Sequence, residues 1–291
     1  MKVGAHVSIA GGLNNAITNA QNIGAGCIQI FSSAPQMWAR KKYTDEELLE
    51  FKQLVNENNL NPVFVHAPYL PNICTDKPEN LEKSIIALSS ELQFVHAIGA
   101  EGLIVHLGSH LGQGFKNVKD QIIDSIAEIY KKAGFETKFL LENSSGKSNV
   151  VGAKFTEIGE IITELRSKYN YNVGICLDTA HMFASGYDIK TKNGVEETLK
   201  ELRDTGVLEK TVCLHINDSK VELGNGNDRH ENIGEGFIGK DGFTHFFKHN
   251  EFKKLPLILE VPGFSKNGPD KENIKILTDL VNFLDSETSS E

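Results

Sequence analysis

The chain has 291 residues, 40% of them hydrophobic and 24% charged, and a formal net charge of −9. That length supports one large domain or two ordinary ones, and no apolar run approaches the roughly 18 residues of a membrane span. The acidic balance argues against a simple electrostatic grip on nucleic acid, unless bound cations place positive charge where a phosphate would sit.

The N-terminus, Met1-Lys2-Val3-Gly4-Ala5-His6, has no basic segment followed by a long apolar one. No signal peptide is therefore expected, and the chain is read as cytoplasmic. Cys27, Cys74, Cys176 and Cys213 are scattered without a CxxC pair, and three of them lie in apolar runs. Reduced, buried cysteines of this kind suit an intracellular enzyme better than a disulfide scaffold. The one sharp basic cluster is Arg40-Lys41-Lys42.

Eight short apolar segments are predicted as strands: Val3–Val7, Cys27–Phe31, Val63–Val65, Leu103–Leu107, Phe139–Leu141, Val173–Leu177, Val212–Ile216 and Leu257–Val261. Their starts lie about 36 residues apart, which leaves room for a helix and two loops. Gly11-Gly12 after the first strand is a turn. Thr44-x-x-Glu47 is a capping box that opens a helix to Asn58. Leu81, Ile85, Leu88, Leu92 and Val95 recur at helical spacing and make one apolar face. Ile122, Ile126, Ile129 and Ala133 do the same, as do Ile158, Ile161 and Leu165, and a last helix carries Ile274, Leu277, Val281 and Leu284. His96, His245 and His249 fall within helical patterns and are assigned no site role. Residues 286–291 form a polar tail beyond a single domain of residues 1–285.

Strands that are apolar throughout are buried on both faces and pair in parallel. Repeated β–α alternation then predicts an α/β fold, a single-domain (β/α)8 TIM barrel, with an open doubly wound sheet as the alternative. There is no GxGxxG after the first strand and no GxxxxGK motif, so no nucleotide cofactor is indicated.

Barrel strands converge their C-terminal residues on one face. The third strand ends at His66, and the fourth carries His106. The fifth ends Glu142-Asn143, the sixth Asp178-Thr179-Ala180-His181, the seventh at His215 and the eighth at Glu260. The Gly/Asn-rich loop after the seventh returns Asp228 and His230, then runs into Gly234-Glu235-Gly236. The candidate metal ligands are thus His66, His106, Glu142, Asp178, His181, His215, Asp228, His230 and Glu260. One such histidine is ordinarily a satisfied polar residue, but half of the chain's ten histidines at equivalent places is hard to reach by chance. A His-rich set points away from magnesium and calcium and towards zinc. So many donors exceed one tetrahedral ion and match two or three ions sharing carboxylates, which is equipment for phosphoester hydrolysis. His6 and His110 lie near the same face, outside the ligand set, as supporting or substrate-contacting residues.

Read together, these motifs resemble the endonuclease IV family, the zinc-dependent apurinic/apyrimidinic endonucleases of the second AP-endonuclease family. The likeness runs nearly end to end. It covers Gly4-Ala5-His6-Val7-Ser8, His66-Ala67-Pro68-Tyr69-Leu70, His106-Leu107-Gly108-Ser109-His110 and Leu141-Glu142-Asn143. It continues through Leu177-Asp178-Thr179-Ala180-His181, Gly186-Tyr187-Asp188, His215-Ile216-Asn217-Asp218-Ser219-Lys220, Asp228-Arg229-His230, Ile233-Gly234-Glu235-Gly236 and Leu257-Ile258-Leu259-Glu260.

The resemblance implies three zinc ions. His66, His106 and Glu142 would hold the first; Glu142, Asp178, His215 and Glu260 the second; His181, Asp228 and His230 the third. It implies hydrolysis of the phosphodiester 5′ to an abasic site in duplex DNA, leaving a 3′-hydroxyl and a 5′-deoxyribose phosphate, with trimming of blocked 3′ ends as a related activity. Glu142 and Glu260 would be the catalytic carboxylates, Glu260 helping to orient or deprotonate the nucleophile. Tyr69 and Leu70 match a loop that wedges into the duplex. Pro35-Gln36-Met37-Trp38 departs from the family, which commonly has Arg where Gln36 stands. Gln36, Trp38 and Arg40 are the expected contacts there, Arg40 supplying the charge that Gln36 lacks. The family also implies a monomer. A one- or two-ion sugar isomerase or epimerase on the same barrel is the alternative enzyme, and a non-cleaving, metal-stabilised DNA-binding module the alternative of another kind.

Overall fold

The computed structural model describes residues 2–288 except 35, 39, 135 and 136. Among them, eight parallel strands close into a barrel: β1 (Val3–His6), β2 (Ile28–Phe31), β3 (Val63–His66), β4 (Gly102–Val105), β5 (Lys138–Glu142), β6 (Gly174–Asp178), β7 (Thr211–His215) and β10 (Leu257–Leu259). The outer strands of the linear order meet through Val3 beside Leu257 and Ala5 beside Leu259. Closure leaves no edge strand and decides against the open sheet. Between β7 and β10 lies a small antiparallel ribbon, β8 (Asp218–Ser219) with β9 (His230–Glu231).

Helices wrap the outside: α1 (Asn15–Ile23), α2 (Asp45–Glu57), α3 (Pro78–Ala97), α4 (Phe115–Ala133), α5 (Phe155–Tyr169), α6 (Thr179–Ser185), α7 (Lys192–Asp204), α8 (Gly239–Phe247), α9 (Asn250–Lys253) and α10 (Lys271–Thr288). The predicted capping box opens α2: Glu47 N–H donates to Thr44 Oγ1 at 3.2 Å, and Thr44 N–H to Glu47 Oε2 at 2.7 Å. The predicted apolar stripe of α4 is buried at Ile122, Ile126, Ile129 and Ala133 against the barrel. His249 precedes α9 as its N-cap rather than lying inside a helix, because the chain is extended there. The final helix runs to Thr288, past the predicted start of the tail at Ser286; residues 289–291 lie outside the described residues.

The interior of the barrel is filled by side chains from successive strands, including Phe64, Ile104, Leu140, Cys176, Cys213 and Ile258, all fully buried. This explains most of the scattered cysteines. Cys27, Cys176 and Cys213 are core fillers, all four cysteines are free, and burial pushes the Cys27 thiol up to about 12. The packed floor leaves the polar strand ends above it as the open face of the barrel.

Candidate metal centre

Four of the predicted ligands are the last residues of their strands: His66 on β3, Glu142 on β5, Asp178 on β6 and His215 on β7. His106 and Glu260 follow one residue beyond β4 and β10. No loop separates β6 from α6. Asp178 ends the strand and caps the helix, accepting His181 N–H at 2.8 Å, so His181 enters the site from the first turn of α6. Asp228 and His230 arrive on the loop after β7, where His230 opens the ribbon strand β9. Glu142, Asp178 and His215 are fully buried, and His66 and His181 nearly so.

Three overlapping groups result. His66, His106 and Glu142 form one; Glu142, Asp178, His215 and Glu260 the second; Asp178, His181 and His230 the third. Within each group the donor atoms lie within 4.8 Å of one another. Glu142 divides its oxygens between two groups. Its Oε2 is 3.0 Å from His66 Nε2 and 3.3 Å from His106 Nε2, while Oε1 is 3.0 Å from His215 Nδ1. Asp228 sits over the third group, 3.2 Å from His181 Nε2 and 3.1 Å from His230 Nε2.

The remaining ring nitrogens test whether this is a metal site. His66 Nδ1 donates to the Ala67 carbonyl at 2.7 Å, His181 Nδ1 to the Asn143 carbonyl at 2.9 Å, and His230 Nδ1 to the Glu260 carbonyl at 3.3 Å. A carbonyl only accepts, so those nitrogens carry a proton, and in each neutral ring the lone pair is on the nitrogen facing the carboxylates. Metal-ligating histidines are oriented in this way. Buried Nε2 of His181 and His230 make no well-formed hydrogen bond, even with the Asp228 oxygens so close. A coordinated cation would satisfy both. Imidazoles and shared carboxylates suit a divalent transition metal.

The electrostatics agree. Burial alone would raise the Glu142 carboxyl, but His106, His215 and His66 hold it well below the usual range. Glu260 is likewise held low against burial by His215, His6 and His66. Burial pulls His181 and His230 down, yet Asp178 and Asp228 more than offset it and push them up to about 10 and about 9. Negative charge is thus concentrated where cations would sit.

Sequence reasoning missed Gln29. Fully buried on β2, it donates Nε2–H to Glu260 Oε1 at 2.6 Å and to His6 Nδ1 at 2.8 Å, while its Oε1 accepts from His215 Nε2 at 2.7 Å. The one available signal was a polar residue inside an apolar run. His6 stands beside the ligands, 3.3 Å from Glu260 Oε1. His110 does not: its Nδ1 accepts loop amides of Gly112 and Gly114 at 3.2 and 3.0 Å, which shapes a turn. Asn217 ties two ligands together, donating to Asp178 Oδ2 at 2.6 Å and accepting Glu260 N–H at 2.8 Å.

The site opens into a cleft of about 1410 Å³ bordered by His230, Glu260, Phe31 and Tyr69. Tyr69 is 65% exposed, with its ring edge-on to Phe31 at 5.6 Å. Leu70, Trp38 and Leu111 enclose a smaller hollow next to it. Gln36, Met37 and Trp38 are exposed, whereas Pro35 lies outside the described residues. Arg40 folds its guanidinium over the Phe94 ring of α3, 4.9 Å from the centroid. That stacking fastens the loop to the barrel wall.

A family profile described as the xylose isomerase-like TIM barrel matches residues 17–285. The probable endonuclease 4 of Methanoculleus marisnigri is 40% identical over 261 residues, 89% of this chain and 92% of that protein. The crystal structure of endonuclease IV from Thermus thermophilus superposes with a TM-score of 0.85 at 28% identity, covering 97% of this chain and 99% of that one. A D-tagatose 3-epimerase-like protein shares the barrel, with a TM-score of 0.76 at 18% identity over 99% of this chain and 100% of its own, a likeness of fold alone. Among the described residues, no helix is long and apolar enough to cross a membrane.

Proposed function

The chain belongs to the endonuclease IV family of xylose isomerase-like TIM barrels, and from that premise we propose that it is a zinc-dependent apurinic/apyrimidinic endonuclease of base-excision repair. It cuts the phosphodiester 5′ to an abasic site in duplex DNA and leaves a 3′-hydroxyl and a 5′-deoxyribose phosphate. The observation that carries this reading is the chain of three ligand groups linked through Glu142 and Asp178. Sugar chemistry on one or two ions has no use for the further set formed by His181, Asp228 and His230.

His66, His106 and Glu142 would hold a first zinc; Glu142, Asp178, His215 and Glu260 a second; His181, Asp228 and His230 a third. When bound, the ions supply positive charge that acidifies water and stabilises charge on the scissile phosphate and the departing 3′-oxygen. The chain's own residues do the rest. Gln29 Nε2–H fixes Glu260 Oε1, with His6 beside it, so that carboxylate is held ionised and oriented to take a proton from the attacking water. Glu142 joins two ligand groups and sets their spacing. Water adds to phosphorus as its proton passes to Glu260, the bond to the 3′-oxygen breaks, and that oxygen takes up a proton from solvent to leave as the 3′-hydroxyl.

Tyr69 and Leu70 press into the duplex beside the lesion, where a missing base lowers the cost of unstacking. Gln36 and Trp38 extend that contact, and Arg40 supports their loop from its seat on Phe94. A net charge of −9 makes DNA affinity depend on the bound ions. One chain supplies every donor, so a monomer suffices, and free buried cysteines suit the cytoplasm. Blocked 3′ ends enter the same site.

The test is incision of a labelled duplex carrying one tetrahydrofuran abasic analogue, using protein of measured zinc content and a His230→Ala variant. A cut 5′ to the analogue, lost in the variant, is expected. An intact strand with fully zinc-loaded protein would overturn the reading and direct attention to free sugars.

A further inference from the structure

Gly234-Glu235-Gly236 supplies no ligand, yet it closes the loop that carries two of them. The structure shows what it wraps. Asp218, on β8, is fully buried, and its carboxylate collects the backbone amides of five residues. Oδ1 accepts from Ser219 at 2.8 Å and Ile238 at 3.0 Å. Oδ2 accepts from Gly234 at 2.9 Å and Gly236 at 3.0 Å, and Gly239 N–H lies 3.4 and 3.2 Å from the two oxygens. A carboxylate offers about four lone-pair sites, so Asp218 has none left for an ion and is not a further ligand.

The glycines are required by this wrapping. Gly234 has φ +85°, and a Cβ on Gly236 would lie 2.4 Å from the Ser219 carbonyl oxygen and 2.5 Å from Asp218 Oδ1. The same carboxylate stands at the base of the ribbon, where Ser219 pairs with His230 and Asp218 with Glu231. The backbone of His230 is therefore set one register position from Asp218.

This arm differs from the rest of the site. His66, Glu142, Asp178 and His215 stand on barrel strands, and His181 on a helix capped by Asp178. Asp228 precedes the ribbon on an irregular segment, and His230 belongs to a two-residue strand. Their placement depends on how the loop is gathered, not on barrel closure. We infer that Asp218 is a positioning residue that fixes the Asp228–His230 arm, so that retention of the third ion depends on it while the other two ions do not. This rests on the three-ion reading proposed above.

Asp218→Asn keeps the shape but replaces one acceptor oxygen with an amino group facing N–H donors. Gly236→Ala attacks the same contact from the other side. The experiment measures zinc content after dialysis and zinc release to a chelator for the unsubstituted protein, both variants and His230→Ala. Both variants are expected to keep two ions, with the third held roughly 10–100-fold more weakly, the usual cost of disturbing the groups that support ligands. A merely structural role would instead weaken all ions together. Retention of every ion at unsubstituted affinity, parallel loss of all ions, or failure of both variants to fold would each overturn the proposal. Should His230→Ala bind as many ions as the unsubstituted protein, the three-ion reading itself falls. Should it lose one while Asp218→Asn and Gly236→Ala lose none, only the positioning role falls.

Discussion

Gln29 Oε1 lies 2.7 Å from His215 Nε2, across the barrel from a residue 186 positions away in sequence. The contact settles which nitrogen of His215 faces the carboxylates: Nε2 carries the proton, and Nδ1 is left 3.0 Å from Glu142 Oε1 and 3.2 Å from Glu260 Oε2. Gln29→Leu removes that anchor with little change in volume. The ion held by His215 should bind about 10–100-fold more weakly, by competition with a chromophoric chelator. Unchanged affinity would show that ring packing alone orients His215.

Removing the metal should make stability fall with rising pH above about 6.5. His181 and His230 are raised to about 10 and about 9 from 6.5. A raised imidazole contributes stability that is complete below the unfolded value of about 6.5 and is lost as pH climbs through the folded value. The chelated protein should therefore melt at progressively lower temperature from pH 6.5 to 10. Zinc requires neutral imidazoles and is favoured as pH rises, so the gap in Tm between loaded and chelated protein should widen over the same window. Parallel curves would contradict this.

Glu91, on α3, is a second titration to follow. Its Oε1 accepts the Ser32 hydroxyl at 2.7 Å, and its buried Oε2 has no hydrogen-bond partner. Burial pushes the carboxyl up to about 7, with Ser32 and Arg40 opposing. The folded value is raised, so its contribution is complete below about 4.5 and is lost as pH rises through 7, with a ceiling of about 3 kcal/mol. Glu91→Gln should flatten the dependence of Tm on pH between those limits and raise Tm at pH 8. An unaltered profile would mean that Glu91 is ionised in the folded protein throughout.

Tyr69 stands at the mouth of the cleft with its ring largely exposed. Tyr69→Ala should raise KM for the abasic duplex on the order of tenfold or more, as loss of one aromatic–base contact does, while zinc content stays unchanged. An unchanged KM would remove Tyr69 from the DNA surface.

Six of the candidate ligands, His66, His106, Glu142, Asp178, His215 and Glu260, were legible because each follows a run of apolar residues too short for a helix, and a polar residue ending such a run lies on the open face of a barrel. Strand boundaries moved by a residue or two without moving that face, since His106 and Glu260 work from just past β4 and β10. Gln29 was illegible for the converse reason. One polar residue inside Cys27–Phe31 does not interrupt a strand, and its partners His215 and Glu260 are brought to it only by closure. Asp218 was visible within a motif, but its partners are backbone amides, which no side-chain pattern encodes. The short α6 was hidden because Asp178 leaves no loop to announce it.

The spread of the donor groups along the chain has a consequence for the order in which they can assemble. Asp178 is at once the end of a strand, the cap of a helix and a member of two ligand groups. The first group spans β3 to β5, and the second reaches from β5 to the residue after β10. A nascent chain that has not yet produced β10 can present the first set of donors but never the second. The second set is thus complete only once the last strand has been made and seated beside the first.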